Sequence, residues 1–125
     1  MPRILVVDDD RFSLELMADI ICTLLGIPEE DVIMVSDGDA AIRAIQGTVF
    51  NLVITDFNLP GKEDGLAVIR AAKEWDPETK TILASAKWEL LVDSGEAGIT
   101  SVDKLLKKPF DIHELVAAVK KLLGL

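Results

Sequence analysis

The chain has 125 residues, 50% of them hydrophobic, and its 22 acidic side chains outnumber 13 basic ones to leave a formal charge of -9. That length and apolar content suit one domain with a real core and exclude a disordered chain. A sequence pI of ≈ 4.5 excludes direct nucleic-acid binding, which needs a basic footprint to displace counterions, and excludes an anionic membrane surface as partner.

Met1-Pro2-Arg3 leads straight into Ile4-Leu5-Val6-Val7, too short for a secretory h-region, and no apolar stretch approaches a bilayer span. This run is continuously apolar, which predicts a strand covered on both faces, and it ends at Asp8-Asp9-Asp10. Residues 12–25 carry apolar side chains at helical spacing, with Phe12, Leu16, Ile20 and Leu24 on one stripe; Gly26 and Pro28 stop the helix. Cys22 within it reads as a small packing residue, because no basic neighbour favours a thiolate, and a single cysteine suits a reducing cytoplasm.

Residues 32–35 predict a second strand covered on both faces, Ser36 or Asp37 a cap, and 39–46 a second helix. Residues 52–55 predict the third strand, with Asp56 at its end and a turn forced by Pro60-Gly61. There follow a helix over 66–75, a strand over 81–84 that delivers Ser85, a shorter helix over 87–92 stopped near Gly95 or Gly98, and a weaker strand over 102–106. Lys108-Pro109 precedes the last helix, 111–123, which Asp111 and Glu114 open as a capping box. Alternating strands and helices predict a single three-layer α/β domain over residues 1–125, with a parallel sheet and right-handed crossovers.

In such a sheet the C-terminal strand ends lie side by side, so Asp8-Asp9-Asp10, Asp56, Ser85 and Lys108 converge despite their separation in sequence. Two carboxylates about 4 Å apart repel by about 4 kcal/mol at an effective dielectric of about 20. A magnesium ion, which prefers hard oxygen ligands, removes that penalty. A carboxylate at Asp56, beside a cation and a lysine, can attack phosphorus and become an acyl phosphate. Taken singly, Asp56 and Ser85 read as helix caps and Lys108 as a solvated turn lysine; their joint occurrence at strand ends points to binding a divalent cation and a phosphoryl group.

The order Ile-Leu-Val-Val-Asp-Asp, Val-Ile-Thr-Asp-Phe-Asn-Leu-Pro, Ser-Ala and Lys-Lys-Pro-Phe resembles the receiver domain of two-component response regulators, over the whole chain. The resemblance implies a doubly wound, flavodoxin-like sheet of strand order 2-1-3-4-5. It implies transfer of a phosphoryl group to Asp56 from a sensor histidine kinase or a histidine phosphotransfer protein. Asp8, Asp9, Asp56 and the backbone carbonyl of Asn58 are then the Mg²⁺ ligands. Ser85 meets the phosphoryl group, Lys108 pairs with it, and the Lys108–Pro109 bond is cis. Asp10 has no part in that scheme. The domain assists only its own phosphorylation and dephosphorylation, and switches a surface read by a downstream effector protein or domain; dimerisation stays open. His113 reads as solvent-exposed, not as a relay histidine.

Three departures from the family pattern stand out. The loop from Asp56 to Gly65 is one residue longer than usual, Leu105 replaces the usual Tyr or Phe of the switch, and the link 98–103 is longer while the helix before it is short. Lys104 and Lys107 read as a solvated face. Two other readings use the same residues. A haloacid dehalogenase-type phosphohydrolase would take Asp8 and Asp10 as its Asp-x-Asp pair and leave Asp56 idle, and a pseudo-receiver would bind partners without phosphate.

Overall fold

The structure, a computed structural model, describes residues 2–87 and 101–125. Its elements run β1 (Ile4–Val7), α1 (Arg11–Leu25), β2 (Val32–Val35), α2 (Gly38–Gly47), β3 (Leu52–Asp56), α3 (Gly65–Trp75), β4 (Lys80–Ser85), β5 (Lys104–Lys107) and a last helix, here α4 (Ile112–Leu123). The short helix expected over 87–92, beyond its first residue, its stop at Gly95 or Gly98, and residues 98–100 of the link 98–103 lie outside the described residues.

All strand pairings are parallel and the sheet order is β2-β1-β3-β4-β5. Alternation of side chains sorts the core into two faces. Ile4, Val6, Leu52, Ile54 and Ile82 pack beneath α1 and α4, whereas Leu5, Val7 and Val53 pack beneath α2 and α3. The continuous apolar runs of β1, β3 and β4 follow from this double coverage.

β2 departs from that expectation. It is the edge strand, and although Val32 is buried, Ile33 and Met34 are 37% and 47% exposed. Met34 shares the α1 face with its register partner Val6, and Ile33 the α2 face with Leu5; with a strand neighbour on one side only, the edge is incompletely covered on both faces. The stripe of α1 departs in a related way: of its members only Ile20 is buried, while Phe12, Leu16 and Leu24 face outward. The core side of α1 is instead Leu14, Met17, Ala18 and Ile21. The helix is apolar on more than one face, so spacing alone does not identify the buried one.

Caps set the helix phases. Asp37 Oδ1 accepts from Ala40 N–H at 2.7 Å, Asp64 Oδ1 from Ala67 N–H at 2.9 Å, and Asp111 Oδ1 from Glu114 N–H at 2.8 Å. Gly26 ends α1 in the left-handed region at φ 68°. At the opposite rim from these caps, Asp103 Oδ2 accepts from Lys73 Nζ and from Thr81 N–H, both at 2.8 Å, tying the entry of β5 to α3 and β4. Among the described residues no helix is long and apolar enough to cross a membrane.

Candidate functional site

Asp8 follows β1 directly and Asp56 ends the neighbouring strand β3. The register pairs Val7 with Thr55, which brings the two aspartates side by side at the rim. One carboxylate oxygen from each of Asp8, Asp9 and Asp56 lies within 4.8 Å of the others. Asp8 is buried, Asp56 partly buried and Asp9 exposed.

Asp8 is 1% exposed and engaged through both oxygens. Oδ1 accepts from Asp10 N–H at 2.9 Å, and Oδ2 accepts from Lys108 Nζ at 3.3 Å. A buried carboxylate without such partners would carry a severe desolvation cost.

Lys108 reaches the cluster because β5 runs to the same rim. Its N–H donates to the Ser85 carbonyl at 3.0 Å, and its peptide bond to Pro109 is cis. Nζ lies 3.3 Å from Asp56 Oδ1 as well as 3.3 Å from Asp8. Burial works against the ammonium charge, but the carboxylates of Asp56 and Asp8 outweigh it and hold the lysine above its ordinary value. Burial pushes the Asp56 carboxyl above its ordinary value of 3.8; Asp8 adds to the rise and Lys108 opposes it. Among the described residues, one ammonium set against three carboxylates leaves the cluster short of positive charge.

Ser85 is the last residue of β4, one beyond Ala84, the register partner of Asp56. It is 1% exposed, and its Oγ accepts from Lys87 N–H at 3.0 Å. Asn58 is exposed in the loop two residues past Asp56. Asp10 stands apart: it takes Ser13 Oγ at 2.7 Å, a bond that lowers its carboxyl, and it is not in the three-carboxylate cluster. The Asp-x-Asp reading thereby loses its second member. Leu105 packs against Leu66, Ile69 and Leu83. His113 is exposed, and so are Lys104 and Lys107. Beside Asp8 and Lys108, a cavity of ≈ 380 Å³ opens between α1 and the start of α4, lined by Leu16, Met17, Ile20 and Phe110.

Two glycines matter to this rim without having been singled out by spacing or charge. A Cβ on Gly65 would lie 2.2 Å from the Asp56 carbonyl oxygen, so α3 can start against the strand end only if residue 65 has no side chain. A Cβ on Gly38 would lie 2.2 Å from the Glu63 carbonyl oxygen, so the start of α2 sits directly on the loop that follows β3. The sequence signal is the Asp-Gly pair at each helix start, where the aspartate caps and the glycine admits a neighbouring backbone.

A family model described as the response regulator receiver domain matches residues 4–120. The chain is 35% identical over 126 residues to the transcriptional regulatory protein PrrA of Mycobacterium leprae, covering 98% of this chain and 50% of that regulator. It therefore spans about half the length of that relative. Among solved structures it is similar to a CheY-like response regulator receiver domain protein of Methanospirillum hungatei, at 28% identity and TM-score 0.82, covering 99% of this chain and 94% of that one. It is also similar to the response regulator TrrA of Thermotoga maritima in complex with Mg²⁺ and BeF, at 30% identity and TM-score 0.75, covering 98% and 100% of the two chains. On this match across nearly its full length, the chain belongs to the response regulator receiver domain family.

Proposed function

We propose that Asp56 accepts a phosphoryl group from a phosphohistidine, supplied by a sensor histidine kinase or a histidine phosphotransfer protein. A carboxylate oxygen of Asp56 forms the new P–O bond, the P–N bond breaks, and the imidazole leaves. The observation that carries this reading is the position of Asp56 at the end of β3, within reach of Lys108 and clustered with Asp8 and Asp9. Lys108 orients the carboxylate and stands ready to meet charge on the phosphoryl oxygens. Ser85, at the end of the adjacent strand, supplies a hydroxyl for the same oxygens. The apolar cavity beside Lys108 supports close approach of a partner carrying the histidine.

The donor set fits a magnesium ion: three hard carboxylate oxygens within 4.8 Å of one another, with a deficit of positive charge. Asp8, Asp9 and Asp56 would hold it, with the Asn58 carbonyl as a further ligand. Bound there, the ion supplies positive charge against the phosphoryl oxygens. The chain itself assists only its own phosphorylation and dephosphorylation, in the cytoplasm. Residues 1–125 act as one receiver domain, and the phosphorylated state is read by an effector protein or domain. With Leu105 in place of an aromatic switch residue, the change is transmitted by repacking around Leu66, Ile69 and Leu83.

Intact-mass measurement after incubation with a small acyl-phosphate donor tests the reading. One phosphoryl adduct is expected with Mg²⁺, and none in Asp56→Asn or in chelator. No adduct in the unaltered chain despite Mg²⁺ binding would favour the pseudo-receiver. Steady phosphate release dependent on Asp8 would favour the hydrolase.

A further inference from the structure

We propose that the groove between the outer flank of α1 and the edge strand β2 is a docking site for a cationic amphipathic helix. It is a cavity of ≈ 650 Å³ that adjoins the one beside Lys108 at Leu16, which lines both. Its apolar lining includes Leu16, Cys22 and Met34, with Phe12 at the start of α1. Three of these are unusually open for large hydrophobic side chains: Phe12 is 74% exposed, Met34 47% and Leu16 44%. All three line the same groove, and exposed large apolar side chains gathered in one place mark interaction sites.

Two features select the occupant. The first is architectural. Among the described residues the core on this face of the sheet packs under α1 and α4, and Met34 of β2 is left 47% exposed beside α1. A helix laid beside α1 would complete that layer over the bare edge, with anchors at helical spacing entering the groove.

The second is charge. The carboxylates of Glu15, Asp19 and Glu29 line the groove, and among the described residues no lysine or arginine does. Glu29, Asp19 and Glu30 together raise the Cys22 thiol beyond the effect of its burial, so their fields converge on the groove. Glu15 does pair with Arg11 at 2.9 Å, but both side chains are well exposed and such a pair exchanges readily for an incoming cation. Lysine or arginine flanking an apolar stripe complements this rim; an anionic lipid surface or a nucleic acid is repelled by it.

The probe is a synthetic leucine–lysine peptide patterned as an amphipathic helix, titrated into isotope-labelled protein and followed by backbone-amide NMR. A scrambled peptide of the same composition, unable to place its leucines on one face, is the control. The proposal expects shifts concentrated over 12–22 and 29–34, and about tenfold weaker binding in Met34→Lys combined with Glu29→Lys. Glu29→Lys alone, an exposed change that spares the apolar lining, is expected to weaken binding severalfold. Shifts spread over the acidic surface at large would overturn it, as would equal binding of the scrambled peptide. Concentration-dependent shifts of the groove without peptide would assign it to a second copy of this chain and overturn it too.

Discussion

Lys108 Nζ meets Asp8 Oδ2 at 3.3 Å across 100 positions of sequence. The same ammonium stands 3.3 Å from Asp56 Oδ1, so it bridges the most buried carboxylate of the rim and the one at the strand end. Lys108→Met leaves Asp8 buried without its cation. It is expected to lower stability by about 1–3 kcal/mol in denaturant unfolding, less than for a fully buried pair because the lysine side chain is 28% exposed. Adding Asp8→Asn to that variant is expected to recover much of the loss.

The raised Asp56 carboxyl carries its own pH signature. An acid whose folded value exceeds its ordinary 3.8 makes the folded state take up a proton more readily than the unfolded one. Its contribution therefore costs stability as pH rises from that ordinary value through the folded value, and the cost persists at neutral pH. In chelator at pH 7, Asp56→Asn is expected to melt at or above the temperature of the unaltered chain. Millimolar Mg²⁺ is expected to stabilise the unaltered chain more than the variant, by about 2.7 kcal/mol at a hundred times its dissociation constant.

Gly65→Ala places a Cβ against the Asp56 carbonyl. Either α3 or the strand end must shift, at a cost of about 1–3 kcal/mol. Because the displaced backbone carries Asp56, Mg²⁺ affinity is expected to fall along with the melting temperature. Unchanged Mg²⁺ affinity in a destabilised protein would show that the glycine serves packing alone.

Asp103 provides a prediction remote from the rim. Burial works against its charge, but hydrogen bonds from Lys73 and Thr81 outweigh that and hold the carboxyl below 3.8. A lowered acid contributes stability that is present above its ordinary value and lost as pH falls through the folded one. Asp103→Ala removes the acceptor shared by Thr81 N–H and Lys73, and is expected to cost about 1–3 kcal/mol at pH 7. The difference from the unaltered chain should shrink in acid; a pH-independent difference would contradict this account.

Much of the fold was legible because both-face burial writes itself as continuous apolar runs. Ile4–Val7 and the run ending at Asp56 place the site with little ambiguity, and Asp111 marks the last helix by its cap. That Lys108 converges with Asp8 and Asp56 was legible from their places at strand ends, but its direct pairing with Asp8 was not. What stayed hidden depends on neighbours distant in sequence. β2 shows the same apolar run as β1, and only its place at the sheet edge exposes Met34. The buried side of α1 was likewise ambiguous, because apolar residues occupy more than one of its faces. Gly65 carries no chemistry of its own; its importance is that the Asp56 carbonyl occupies the space a Cβ would need, which no local pattern encodes.

The central claim is that Asp56, rather than Asp8 or Asp9, receives the phosphoryl group. Borohydride reduction of the acyl-phosphate-treated protein, followed by peptide sequencing in a mass spectrometer, reads the modified position directly. The account predicts homoserine at position 56 alone, dependent on Mg²⁺. Homoserine at position 8 or 9, or none in a protein that binds Mg²⁺, would contradict it.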